Sequence, residues 1–197
     1  MAHKGPGSDD VVVLLRGTPG VGKSTVARRL VERLGEGAVV EVDRFRAMLA
    51  IPDWHSRAQH AAGLVAACRA AAGFVEAGVA PVVVVDTFGR DGVARARALF
   101  GSAVARGRCV TLWAAPEVIE ERLARRAAGY ADVAQCHLIN AEVLRRRLDD
   151  DLLIDTSRLD VESVVDRIHA ALGLVRGGQR HGDARGRTDD GRTGVIR

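Results

Sequence analysis

The chain of 197 residues is poor in aromatics: Phe, Trp and Tyr together make up 4% of it, with a single Tyr. So few ring faces weigh against a stacking surface for nucleic-acid bases. Cysteine is scarce too. Cys68, Cys109 and Cys136 stand far apart and show no metal-ligand spacing. An odd, sparse set is expected as reduced thiols, which suggests a cytoplasmic chain. Cys109, inside an apolar stretch, is expected in the core. No apolar run has the length that spanning a bilayer needs. The opening residues, MAHKGPGSDD, lack the apolar segment of a secretory leader. Membrane partners are therefore not expected.

Charge of one sign is also scarce in the body of the chain. The net charge is +4, but residues 176–197, with six Arg and three Asp, supply +3 of it. Residues 1–175 are thus close to neutral. The last 22 residues also hold six Gly and almost no large apolar side chain. They bury too little surface to offset their ordering entropy and are expected to be a disordered basic tail. Residues 1–9 are expected to be flexible, and residues 10–175 to form one domain.

What is present is concentrated in residues 11–25, VVVLLRGTPGVGKST. A buried strand is expected at Val11 to Leu15. Gly17, Thr18, Pro19, Gly20, Val21, Gly22, Lys23 and Ser24 then fit G-x-x-x-x-G-K-[ST], the P-loop or Walker A pattern. Glycines let successive N–H groups turn inward on phosphate oxygens, and the following helix points its positive end at the same anion. Lys23 is expected on the β- and γ-phosphates of ATP, and the Ser24 hydroxyl on Mg²⁺. Val26, Leu30 and Leu34 repeat at helical spacing behind Thr25.

Strands then alternate with helices. A second strand is expected over 38–42, ending at Asp43, and a short helical piece over 47–50. A long alanine-rich helix is expected over 56–77. Val82 to Val85, apolar on both faces, reads as a parallel-sheet strand ending at Asp86. Helices over 91–105, 116–129 and 132–149, strands over 108–114 and 152–154, and a last helix after an Asp160 cap complete the pattern. The fold class is α/β with a parallel sheet, whose ligands gather at the carboxyl ends of the strands.

Two acids and four arginines are the candidates for such a site. Asp43 could accept the proton of an attacking hydroxyl, and Arg46 could hold an anionic or carbonyl group. A local Asp43–Arg46 or Asp43–Arg44 ion pair is the alternative, and the strand-end position, which faces ligand, favours the functional reading. Asp86 resembles a Walker B acid on Mg²⁺ or a simple capping aspartate. Thr87 and Arg90 share its loop and could line an acceptor pocket, with Trp54, His55 and His60 as further walls; Arg90 could instead pair with Asp91. In EVIEERLARRAAGY, Arg125 has Glu121 four residues before it, but Arg122 and Arg126 have no such acid. They stack as like charges one turn apart, which is unfavourable unless an anion such as a γ-phosphoryl group lies between them. A basic helix end facing the negative pole of the dipole explains the same pattern. Arg145 to Arg147 and Asp149 to Asp151 are expected to neutralise each other on a solvated helix face.

GTPGVGKST, VDRFR, VVVVDTFGR, ERLARR and IDTSRLDVESVVDRI follow one another in an order that resembles the P-loop kinases of the nucleoside-kinase-like group. These include chloramphenicol phosphotransferase, polynucleotide 5′-kinase, gluconate kinase and adenylylsulfate kinase. The resemblance covers about residues 10–173. It implies a three-layer P-loop NTPase fold, a five-stranded parallel sheet in the order 2-3-1-4-5 with helices on both faces. It also implies a short lid around 122–132 that closes over ATP. Thr156 and Ser157 would then lie near the adenine. Asp43 matches the acceptor-activating aspartate and Arg46 the arginine of a D-x-x-R pattern.

The function expected is phosphoryl transfer from ATP, with Mg²⁺, to a hydroxyl of a small molecule such as an antibiotic, nucleoside or sugar. A polynucleotide 5′-hydroxyl kinase is the second reading, disfavoured by the near-neutral domain and the few aromatics. A nucleotide-dependent switch without acceptor chemistry is the third. The sequence does not indicate the acceptor, the preferred nucleotide or the oligomeric state.

Overall fold

The computed structural model describes residues 12–89, 91–100, 107–125, 132–146 and 148–174. The elements run β1 (Val12–Arg16), α1 (Lys23–Leu34), β2 (Ala38–Glu41), α2 (Val42–Ala47), α3 (Arg57–Glu76) and β3 (Val82–Val85). Then come α4 (Gly92–Phe100), β4 (Arg108–Trp113), α5 (Pro116–Ala124), α6 (Val133–Arg145), β5 (Asp151–Asp155) and α7 (Val161–Leu172). The five strands form one parallel sheet in the order β2-β3-β1-β4-β5. This is the P-loop NTPase fold, in the strand order that the resemblance implied. The order reverses at β1, which lies between β3 and β4, and the crevice of such a sheet opens at that reversal.

The strand interiors are largely apolar because helices cover both faces. The pleat sends Val13 and Leu15 to one core, with Leu30 of α1, Ile119 of α5 and Ile168 of α7. It sends Val12 and Leu14 to the other, with Leu64 and Ala67 of α3 and Phe100 of α4. Leu14, Leu15 and Leu30 are 0% exposed. Burying each such leucine contributes roughly 1.5–3 kcal/mol. Cys68, Cys109 and Cys136 are all buried. Burial pushes the Cys68 and Cys109 thiols up to about 12, so both behave as plain core. Among the described residues no helix is long and apolar enough to cross a membrane.

Two local readings are corrected. The second strand ends at Glu41, and α2 starts at once at Val42. Glu41 is paired with Val85, where β3 itself ends. Val42 turns into the core at 0% exposure, and Asp43 takes the first helical turn, where a carboxylate meets the positive end of the dipole. The basic and acidic run at 145–151 is not a self-neutralising helix face. α6 stops at Arg145, Arg146 pairs back to Glu142 at 2.8 Å, and Asp150 reaches Arg97 at 2.7 Å. Asp151 is buried at the start of β5, where it accepts a hydrogen bond from the Thr111 hydroxyl. The residues expected as lid beyond Arg125 and as basic tail lie outside the described residues.

Candidate active site

The turn after β1 is set by three glycines. Gly17, Gly20 and Gly22 have φ of 149°, 93° and 97°, in the range that L side chains avoid. A Cβ on Gly17 would also stand 2.4 Å from the Leu112 carbonyl oxygen. Gly22 offers α1 no side-chain cap, so the N–H groups of its first turn are available to an anion. Lys23 Nζ folds back over the loop and donates to the carbonyls of Gly17 at 2.8 Å and Thr18 at 3.0 Å. The Thr18 side chain serves the scaffold: it is fully buried and its hydroxyl donates to the Cys136 carbonyl of α6 at 2.9 Å. Val21 is buried in the core, Pro19 is half-buried and Thr25 is exposed.

Ser24 Oγ lies 3.3 Å from Glu41 Oε2, and the other Glu41 oxygen accepts from Arg28 at 3.0 Å. Sequence reasoning missed Glu41. The signal was present: an acid closing a strand beside the P-loop, the criterion that singled out Asp43. Ser24 and Glu41 supply hard oxygen donors next to the phosphate loop. That set fits Mg²⁺, which takes one or two protein ligands and fills its remaining positions with phosphate oxygens and water.

Two residues beyond Glu41, Asp43 is exposed in the first turn of α2. Its Oδ1 accepts from Arg46 Nη1 at 3.1 Å, so both the functional pairing and the local ion pair describe the same contact. Arg46 is buried. Its Nη2 donates to the Trp54 carbonyl at 2.8 Å, and its guanidinium lies 4.7 Å from the centroid of the Trp54 ring. Gly63 of α3 makes the room: a Cβ there would stand 2.6 Å from Arg46 Cγ. Arg46, Trp54, His55 and His60 line one cleft of about 350 Å³ between α3 and the start of α4.

Asp86, just past β3, is buried. His60 Nε2 lies 3.0 Å from its Oδ2, and the Phe88 N–H donates to the same oxygen at 3.2 Å. That hydrogen bond raises the pKa of His60 above its ordinary value, against burial and the charge of Arg46, which both lower it. No hydrogen bond joins Asp86 to Ser24 among the described residues. Phe88 holds φ at 45°, strained for an aromatic residue, while its ring is buried beside α3 and α4. Thr87 lines a smaller cavity of about 60 Å³ with Arg16 and Val143, and Gly89 lines both that cavity and the His60 cleft. Arg90 lies outside the described residues.

Arg122 donates to the Thr156 hydroxyl at 3.1 Å and to its carbonyl at 2.8 Å. Thr156 is itself held to the Trp113 carbonyl of β4 at 3.1 Å and reaches the Val21 carbonyl at 3.4 Å. Ser157 accepts from the Ala115 N–H ahead of α5 at 2.8 Å. Arg122, Thr156 and the P-loop thus meet at one place, on the flank away from the Arg46 cleft. Arg125 pairs with Glu121, as its spacing predicts. Arg126 lies outside the described residues.

A family model described as AAA domain matches residues 12–150. No curated protein matches the sequence. Among solved structures, the chain is similar to the Deinococcus radiodurans tunicamycin resistance protein, with 25% identity, a TM-score of 0.61, and 84% of this chain and 97% of that one covered. It is similar to a sugar kinase from Janibacter, at 21% identity and TM-score 0.64, covering 84% and 95%. It also resembles the Mycobacterium tuberculosis APS kinase solved with AMPPNP and APS, at 19% identity and TM-score 0.66, covering 84% and 98%.

Proposed function

The chain belongs to the AAA domain family, and we propose that it is a P-loop phosphotransferase moving the γ-phosphoryl group of ATP to a hydroxyl of a small molecule. One relationship carries this reading. The segment 41–46 touches Ser24 of the P-loop through Glu41 and the cleft through Arg46, and Asp43, between them in the chain, pairs with Arg46. A carboxylate carried on a segment that joins the phosphate loop to a separate cleft supports an acceptor base. A nucleotide switch has no need of one.

In this reading the backbone of residues 17–24 cradles the phosphates, and Lys23 exchanges its two carbonyl partners for phosphate oxygens. Ser24 and Glu41 would hold Mg²⁺, which supplies charge neutralisation at the phosphates. Asp43 orients and deprotonates the acceptor hydroxyl. Arg46 fixes the acceptor. Arg122 and Arg126 are proposed to stabilise charge on the transferring group. Thr156 and Ser157 shape the nucleotide side. Asp86 acts through His60, as a positioning residue for the cleft wall. The names of the solved neighbours, a sugar kinase and an APS kinase among them, support small-molecule acceptors. So does a cleft of about 350 Å³, within the usual range for small ligands.

The experiment is a screen of nucleosides, sugars, antibiotics and 5′-hydroxyl oligonucleotides with ATP and Mg²⁺, read by mass spectrometry. The expected result is gain of one phosphoryl group on a small-molecule acceptor. Gain on the oligonucleotides alone would replace this reading with the polynucleotide kinase.

A further inference from the structure

We infer that the cleft beside α3 is an anion site, and that its acceptor carries a phosphate, sulfate or carboxylate group separate from the hydroxyl that is phosphorylated. The inference rests on the phosphotransferase reading for the word acceptor, while the anion site stands on the cleft alone.

Three arginines line the cleft, buried Arg46 and exposed Arg57 and Arg95, with Asp91 as its one acid. They come from three different helices, so the fold brings them together rather than a local run of basic residues. Arg57 and Arg95 make no side-chain ion pair or hydrogen bond among the described residues. Arg57 is the first residue of α3, and no acid stands in that turn. A cation at that end of a helix opposes the dipole, an effect that solvent weakens at this exposed position. An anion in the cleft would be favoured by the helix end and by Arg57 together.

Arg46 supplies the independent observation. Its side chain is 9% exposed, and its Nε has no hydrogen-bond partner. A buried guanidinium with an unmet N–H is unfavourable unless a ligand completes it. Its one carboxylate partner, Asp43, is 68% exposed and is the proposed base. An anionic group on the acceptor would compensate Arg46 as Asp43 turns to the hydroxyl. Neutral acceptors leave buried Arg46 and the exposed Arg57 and Arg95 along the cleft with a single acid.

The test uses matched pairs: a nucleoside and its 3′-monophosphate, and glucose and gluconate. Phosphoryl transfer is measured with ATP and Mg²⁺. Binding is measured separately by calorimetry with AMPPNP and Mg²⁺ saturating the P-loop, so that only the cleft is free. In at least one pair the anionic member should bind and be used about 100-fold better than the neutral one, the equivalent of two charge-assisted contacts at roughly tenfold each. Arg57→Gln and Arg95→Gln should each remove about tenfold of that preference, and Arg69→Gln, on an exposed position of α3, should leave it intact. Neutral members bound as tightly as anionic ones, or no binding that depends on Arg57 and Arg95, would overturn the inference. Arginine-dependent binding of an anionic member without transfer would instead remove the phosphotransferase reading and leave the anion site standing.

Discussion

His60 Nε2 sits 3.0 Å from the buried Oδ2 of Asp86, so a wall of the proposed acceptor cleft is fixed by an acid at the end of β3. The hydrogen bond to Asp86 raises the pKa of His60 in the folded chain above its ordinary 6.5. The folded state therefore binds this proton more tightly than the unfolded one. Its stabilisation is complete below the ordinary value and is lost as pH rises through the raised one. Thermal melts of wild type and His60→Asn should differ most at and below about pH 6, and the gap should narrow toward pH 9. A gap that stays constant across that window would mean that His60 is not held as a charged partner of Asp86.

Gly63 and Gly73 make an internal comparison within α3. A glycine in a helix interior normally costs about 0.5–1 kcal/mol relative to alanine. A Cβ on Gly73 meets nothing within 4 Å, so Gly73→Ala should stabilise the protein by about that amount. A Cβ on Gly63 would lie 2.6 Å from Arg46 Cγ and 3.5 Å from Arg46 N. Gly63→Ala should therefore destabilise by about 1–3 kcal/mol, despite its better helix propensity. Urea unfolding of both variants gives the two signs.

The contrast between those glycines marks how far the sequence could be read. The strand order comes from the family resemblance, and the P-loop and the Asp160 cap, whose carboxylate accepts from the Ser163 N–H, are written in local spacing. Contacts between distant segments are not. Nothing local joins Glu41 to Ser24, Thr18 to Cys136 or Arg122 to Thr156, and each of these decides what a site residue does. Asp86 read as a metal acid or a capping aspartate because it ends a valine strand; its His60 partner, 26 positions away, was invisible. The start of α2 was misplaced because apolar Val42 reads as strand until the end of its neighbour β3 is known.

Glu41 should act on the metal more than on the nucleotide. With Ser24 at 3.3 Å, Glu41→Gln removes a charge from the proposed Mg²⁺ position and keeps the hydrogen-bonding shape. The Mg²⁺ concentration needed for half-maximal AMPPNP binding should rise about tenfold, the lower end of what supporting ligands contribute. Arg28→Gln, which removes only the outer partner of Glu41 at 3.0 Å, should shift it little. Equal effects of the two variants would assign Glu41 to packing.

The central claim is transfer to an acceptor with Asp43 as its base. The most direct measurement follows γ-labelled ATP with Mg²⁺ and the acceptor mixture, for wild type, Asp43→Asn and Lys23→Ala, with nucleotide affinity measured in parallel. Wild type should move label onto an organic acceptor. Asp43→Asn should lose at least about 100-fold of that transfer, in the range of a general base, with ATP affinity nearly unchanged. Lys23→Ala should lose both transfer and affinity. Label released only as inorganic phosphate, at one rate with and without acceptors and in both wild type and Asp43→Asn, would contradict the claim and make the protein a nucleotide-dependent switch.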